Sequence, residues 1–361
     1  MNSSLGDVLR GLPGPVMITG HTGFKGTWLT FLLEQMGVST VGLSLAPEYD
    51  SLFDRANRLG SIPEKFSDIR NHKETNKLIS QYRPSAIIHL AAQPLVIESY
   101  KSPRETFNTN VMGTANILEA AFDCKEVRAV IVVTSDKVYR NNDLETSFTE
   151  EDALAGKDPY SASKVGAESV VSAWQQIAKI SGGPALVSVR AGNVLGGGDW
   201  AVNRLLPDLI RGFISEKPVV IRNPESTRPW QHVLDPLAGY LATLESILVG
   251  EKHTSLNFGP SDLSLRVRDV ANLAADSWGL PIEFEFESNT AGFSSEAKSL
   301  NLDSSRARKV LNWHPYWGQA ESVIATVNWW KNVFHHKMNC KDASLFDIQT
   351  LLNSLEKPSS K

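Results

Sequence analysis

Two short stretches of this chain bring together side chains that can move protons. In TSDK, residues 134 to 137, an apolar run ends on a hydroxyl, a carboxylate and an amine. In YSASK, residues 160 to 164, a phenol and an amine stand four residues apart. Tyrosine is a poor base at its ordinary pKa of about 10. Four residues is one helical turn, so the Lys164 ammonium shares a face with Tyr160 and favours its phenolate. Such a pair can take the proton of an alcohol that is losing hydride. Without a site around it, the same pair is an ordinary one on a helix surface.

Asp136 and Lys137 also read two ways. Exposed, they form an ion pair worth about 0–1 kcal/mol. Buried, they can act as acid and base. A lysine with a pKa of about 10.4 acts as a base only if burial or neighbouring cations depress it. The aspartate must be protonated when it acts, which burial favours and the adjacent lysine opposes. One proton shared across the coupled pair reconciles the two demands.

These groups need a frame. Strand-length apolar runs (PVMITG, STVGLSL, SAIIHLAA, RAVIVVTSD, ALVSVRAGNV) alternate with segments of helical period (GTWLTFLLEQMG, TFNTNVMGTANILEAAF, SASKVGAESVVSAWQQIAK). The runs are nearly continuous in Val, Ile, Leu and Ala, as in parallel strands covered on both faces. The fold class expected is α/β: a Rossmann-type doubly wound parallel sheet with a smaller C-terminal α+β substrate-binding lobe. The sheet domain is placed at residues 1–190 and the lobe mainly at 191–334, some segments returning to the first domain. A polar tail with a short amphipathic helix follows at 335–361. LNFGP and IEFEFE are assigned to the lobe, and the aromatics of NWHPYW and VNWW to core packing.

Between the first strand and helix, VMITGHTGFKGTWL sets Gly20, Gly23 and Gly26 three residues apart. Glycines there let the backbone turn tightly and approach a phosphate, while the helix N-terminus offers free N–H groups and a positive dipole end. The strand–turn–helix context supports a dinucleotide site.

GxxGxxG with a later Tyr-x-x-x-Lys resembles the extended short-chain dehydrogenase/reductase family. SDIR at 67–70, HLAAQ at 89–93 and NTNVMGTANILEAA at 108–121 carry the likeness further, and the motifs arrive in family order. The resemblance implies a nicotinamide cofactor held by Gly20, Gly23, Phe24, Lys25 and Gly26. It adds Asp68 and Ile69 at the adenine, Ala91 and Ala92 after the fourth strand, and Tyr160 and Lys164 at the reacting end. One departure concerns the second strand. It ends VGLSLAPE, and Leu43 to Ala46 contain neither the acid that usually holds the ribose diol nor an arginine. NAD is the cofactor expected, and NADP stays open.

In this family a Ser or Thr at the strand end hydrogen-bonds the substrate hydroxyl, a role that falls to Ser135; Thr134 then points to the opposite face. The family's sugar dehydratases carry an Asp–Glu pair after it. Asp–Lys here, with GHTGFKG, AAQPLV, RAGNVLGGGDW and RPWQHVLDPL, resembles the branch acting on CDP-glucose. That implies Asp136 as the acid for the C6 hydroxyl and Lys137 as the base for the C5 proton. It also implies a nucleotide-diphosphate sugar partner. Arg228 and Asn193 match its diphosphate contacts, Arg204 is a further candidate, and Gln93 and Glu296 are placed on the sugar side. A nucleotide-sugar 4-epimerase of the same fold and a non-catalytic dinucleotide-binding regulator remain alternatives.

The bulk composition sets outer limits. With 361 residues, a formal charge of -4 and no basic stripe, nucleic acid is not the expected partner. Cys124 and Cys340 lack partners at metal-ligand spacing, and His21, His89, His232 and His314 lie in separate segments, so no metal is expected. No apolar run reaches the roughly 18 residues of a membrane span, and a cytoplasmic setting is the default. By family inheritance, the small-residue faces of NVMGTANILEAA and SKVGAESVV are expected to pair two copies as a four-helix bundle. A dimer of dimers is left open.

Overall fold

The computed structural model describes residues 5–141, 147–262, 264–279, 284–287 and 300–356. Seven parallel strands form the central sheet: β1 (Val16–Thr19), β2 (Thr40–Ser44), β3 (Glu64–Phe66), β4 (Ala86–His89), β5 (Ala129–Val133), β6 (Ala185–Ala191) and β7 (Ser255–Phe258). Their order across the sheet is β7-β6-β5-β4-β1-β2-β3. The chain leaves β1 in one direction toward β2 and later returns on its other side at β4. That switch point is where an open parallel sheet leaves a crevice at its C-terminal edge.

Strand residues alternate between two cores, as a period of two requires. Val16, Ile18, Ala86, Ile88, Ala129, Ile131 and Val133 join one cluster with helices α1 (Phe24–Gln35) and α5 (Leu234–Leu248). Met17, Ile87, Val130 and Val132 join the other. Opposite them there are α2 (His72–Tyr82), α3 (Gly113–Asp123) and α4 (Pro159–Ser181). Burial on both faces explains why these strands read as unbroken apolar runs.

A smaller lobe is built from helix Leu205–Ser215, helix Val267–Trp278 and short strand pairs. Val219–Arg222 runs parallel to Phe284–Glu287, and Thr227–Arg228 antiparallel to Leu265–Arg266. LNFGP differs from the sequence reading. It supplies β7 of the main sheet, bonded to β6, and not a strand of the lobe.

The C-terminal segment, read as a polar tail with a short amphipathic helix, is packed more deeply than that reading implies. It forms α7 (Cys340–Leu355), sixteen residues packed on α1 and on α6 (Gln319–Phe334). Ala343, Ile348 and Leu351 enter the main core, and Trp329 Nε1 donates to Ser344 Oγ at 3.2 Å. Asp347 approaches the buried His232 ring at 3.6 Å. Trp313, Trp317, Trp329 and Trp330 are all buried. Among the described residues no helix is long and apolar enough to cross a membrane.

Since Ile348 is fully buried, Ile348→Ala should destabilise the whole fold by about 2–5 kcal/mol, measured by guanidinium unfolding. A loss under about 0.5 kcal/mol, typical of surface positions, would show that α7 is peripheral to the core.

Candidate active site

The glycine loop leaves β1 at the switch point. Gly20 has φ +74°, and a Cβ there would lie 2.8 Å from the Ala91 amide nitrogen. At Gly26 a Cβ would lie 2.1 Å from the Gly20 carbonyl oxygen. Neither position accepts a side chain. Gly23 faces outward, and its nearest neighbour to an added Cβ is Gly20 oxygen at 3.4 Å. The loop is therefore closed against protein at two glycines and open at the third. The first turn of α1 has no side-chain cap, so its leading N–H groups lack acceptors. This cradle fits a dinucleotide pyrophosphate.

Around the cradle, the Phe24 ring turns toward the Gly196 loop. Ala91 N–H donates to Thr19 Oγ1 at 3.2 Å, and Ala92 is half-buried beside it. The end of β2 carries a buried hydroxyl pair, Thr22 and Ser44 at 2.7 Å, at the place where an acid usually holds a ribose diol. The Asp68 carboxylate accepts from Arg70 Nη2 at 2.6 Å, which holds it below the usual carboxylate range. Ile69 is buried against Gly113.

Lys25 extends from this loop into the interior. Its Nζ lies 3.4 Å from the Tyr240 hydroxyl of α5. Burial, then the Lys164 and Arg204 charges, lower it to about 8.

The proton-moving groups meet at the end of β5. Tyr160 is the second residue of α4, a helix started by Pro159 and a reciprocal cap between Asp158 and Ser161. Its hydroxyl therefore lies near the positive end of a 23-residue helix. Burial pushes the phenol up to about 12, and a hydrogen bond with Ser135 pulls it down. Ser135 Oγ also donates to Asp136 Oδ1 at 3.0 Å and accepts from Lys137 N–H at 3.2 Å. Thr134 turns the other way, to Glu168 at 2.6 Å.

Asp136 is buried, and burial pushes its carboxyl up against the opposing charges of Lys137, Arg228 and Lys25. Lys137 is half-buried. Lys164 lies one turn past Tyr160 and donates to the Val133 carbonyl at 3.2 Å; burial lowers it to about 8.

The expected substrate residues divide. Arg228 is buried within electrostatic reach of Asp136, its Nη1 donating to the Thr227 carbonyl at 2.7 Å. Asn193 is half-buried, its carbonyl accepting from Gln231 N–H. Arg204 is bonded to Asp199 at 2.9 Å with its charge reaching Tyr160. The Gln93 amide donates to Leu95 oxygen and Thr106 Oγ1 and accepts from Leu95 N–H. It ties the loop after β4 to helix Pro103–Phe107. Glu296 lies outside the described residues.

The sequence reading passed over Glu168 and Arg190, buried beneath Lys164 and Thr134, although Tyr160, Lys164 and Glu168 form a legible stripe of period four. His89 opens the HLAAQ motif, and spacing assigns its ring no partner. That ring lies between Thr19 Oγ1 at 2.6 Å and Thr114 Oγ1 at 3.1 Å.

A family model described as "NAD dependent epimerase/dehydratase family" matches residues 16–259. The chain belongs to that family. A CDP-glucose 4,6-dehydratase of Salmonella typhimurium is 41% identical over 88% of this chain and 90% of its own length. Among solved structures, the UDP-glucose 4-epimerase of Thermotoga maritima with UDP-glucose superposes with a TM-score of 0.78 at 19% identity. That match covers 88% of this chain and 99% of the epimerase. The dTDP-glucose 4,6-dehydratase of Bacillus anthracis, in complex with NAD, gives 0.76 at 18%, covering 89% and 98%. At such identities the structural likeness is one of fold.

Burial, then the Lys164 charge, lowers His89 to about 3 from 6.5. The unfolded chain binds this proton below about 6.5 and the folded protein only near 3. Stability should therefore fall as pH drops through that window, with His89 contributing up to roughly 1.4 kcal/mol per pH unit. Urea unfolding across the window should show a shallower slope for His89→Gln. Equal slopes would mean that the ring is protonated in the fold.

Proposed function

We propose that this protein catalyses the NAD-dependent dehydration of a nucleoside diphosphate hexose, with CDP-glucose the substrate and CDP-4-keto-6-deoxyglucose the product. One observation carries the reading. A buried carboxyl raised by desolvation, Asp136, is followed by Lys137 at the same strand end as the Ser135–Tyr160 hydrogen bond. A C4 epimerisation needs only the second pair. Loss of water across C5 and C6 needs an additional acid and base. The 41% identity to a named CDP-glucose 4,6-dehydratase supports both the reaction and cytosine as the nucleobase.

NAD held in the cradle of Gly20, Gly23 and Gly26 would supply a reversible hydride acceptor for the oxidation at C4 and the reduction at C6. The chain's own groups handle the protons. Ser135 Oγ holds the C4 hydroxyl, and Tyr160 Oη takes its proton. Ser135 and the Arg204 charge draw the phenol down from the value that burial imposes. Lys164, ammonium on the Val133 carbonyl, holds positive charge on the same helix face. With C4 a ketone, the C5 proton is acidic; Lys137 removes it and returns a proton to C5 when C6 receives hydride. Asp136 gives a proton to the C6 hydroxyl, which leaves as water. Arg228 and Asn193 are assigned to the diphosphate, where a guanidinium matches paired oxygens.

The subunit is further read as a homodimer. Ile97, Tyr100, Phe107 and Met112 are exposed on consecutive helices beside α4. Val111 closes on Gly166, so a Cβ at Gly166 would lie 2.7 Å away.

Purified protein with NAD and CDP-glucose should yield a 4-keto-6-deoxy sugar with no net reduced cofactor. A C4 epimer alone would reject the dehydratase reading in favour of the epimerase. Binding of NAD with no turnover of CDP-, dTDP-, GDP- or UDP-sugars would leave a regulator. Lys137→Ala should keep cofactor affinity while dehydration falls by about 10² or more, and a near wild-type rate would remove Lys137 as the base. Tyr160→Phe should suppress C4 oxidation itself, seen as loss of the transient reduced-nicotinamide absorbance.

A further inference from the structure

Behind the catalytic groups lies a buried ion pair that the chemistry above does not use. Glu168 and Arg190 are 6% and 4% exposed. Arg190 Nε donates to Glu168 Oε1 at 2.8 Å and Nη2 to Oε2 at 2.9 Å, a two-pronged bond. Thr134 Oγ1 donates to Oε1 at 2.6 Å and Ser188 Oγ to Oε2 at 2.8 Å. Arg190 Nη1 donates to Tyr139 Oη at 2.9 Å, which donates onward to Asn257 Oδ1 at 2.7 Å. A buried ion pair is often no more stabilising than apolar residues of the same volume. Its position suggests another purpose.

Glu168 lies one turn beyond Lys164 and two beyond Tyr160 on α4. Thr134 immediately precedes Ser135. Tyr139 ends the turn that begins at Asp136. Arg190 stands three residues before Asn193 on the strand leading to it. One carboxylate and one guanidinium thus bond to every element that presents a reacting group.

We propose that Glu168 and Arg190 are positioning residues: they set the strand end bearing Ser135 and Asp136 against the helix face bearing Tyr160 and Lys164, and hold a fixed negative charge beneath the Lys164 ammonium. The proposal rests on the dehydratase reading for its kinetic consequence, since proton transfer from a substrate hydroxyl tolerates little misplacement. Its electrostatic part stands without a substrate. The charged and titratable groups within electrostatic reach of Lys164 are Glu168 on its own helix, His89 on β4 and Lys25 in the first turn of α1. His89 is neutral above about 3, and Lys25 adds positive charge. Glu168 is the group that raises Lys164 against burial.

The test compares wild type, Glu168→Gln and Glu168→Asp. Acylation of Lys164 by acetic anhydride, followed peptide by peptide across pH with no substrate present, tracks its neutral fraction. In Glu168→Gln the labelling midpoint should fall by about one pH unit, a tenfold change in proton affinity. With CDP-glucose, kcat should fall about tenfold or more with KM little changed, and the alkaline limb of the rate profile should move the same way. Glu168→Asp restores the charge but not the reach, so the midpoint should return while kcat stays low. Should Glu168→Gln fail to fold, the uncharged pair Glu168→Gln with Arg190→Gln takes its place, and a smaller fall of the midpoint with the same loss of kcat is expected. A folded variant with an unchanged midpoint and an unchanged kcat overturns the proposal. Wild type that turns over no nucleotide sugar while the midpoint still shifts would reject the dehydratase reading and uphold the charge assignment.

Discussion

Burial of the central sheet on both faces is the constraint on which the rest of the structure depends. Successive residues of β1, β4 and β5 enter opposite cores, so the strands have no solvent face to vary. Crossover helices must cover both sides, and parallel strands then release their chain ends along a single edge. That edge collects the glycine loop after β1, the Ala91 turn after β4, the TSDK turn after β5 and the Asn193 loop after β6. The site is where the backbone has to leave its regular structure.

The second organising feature is charge in a dry place. The chain is acidic overall, with a formal charge of -4. At the site, however, Lys25, Lys137 and Arg228 all act on the Asp136 carboxyl, and Lys164 and Arg204 act on Lys25. Burial drives the Asp136 carboxyl up and the Lys25 and Lys164 amines down. Such a cluster also suits a doubly charged diphosphate, whose arrival would replace part of the lost solvation. The Glu168–Arg190 pair lies behind it, Glu168 raising Lys164 against burial, with its polar atoms shared among four elements.

Much of this was legible from local spacing. The three glycines sit between a strand and a helix, and the close contacts at Gly20 and Gly26 are what such a loop imposes. Four residues between Tyr160 and Lys164 put both on one helix face. Less legible was where side chains go once they leave the backbone. The Gln93 amide ties the loop after β4 to Thr106, and Lys25 reaches inward to Tyr240, more than two hundred residues away. The amphipathic helix after His335 is legible as such; that its apolar stripe packs on α1 near the start of the chain is not.

The sequence by itself determined the order of strands and helices, the phosphate-type turn and the pairing of phenol with amine. These depend on periodicity, backbone sterics and neighbours within a helical turn. Only the tertiary structure decided which surroundings Asp136, Lys25 and Lys164 meet, and that Glu168 closes on Arg190 twenty-two positions away. Desolvation and charge pairing depend on what the completed fold brings within a few ångströms, and no local pattern in the chain encodes that distance.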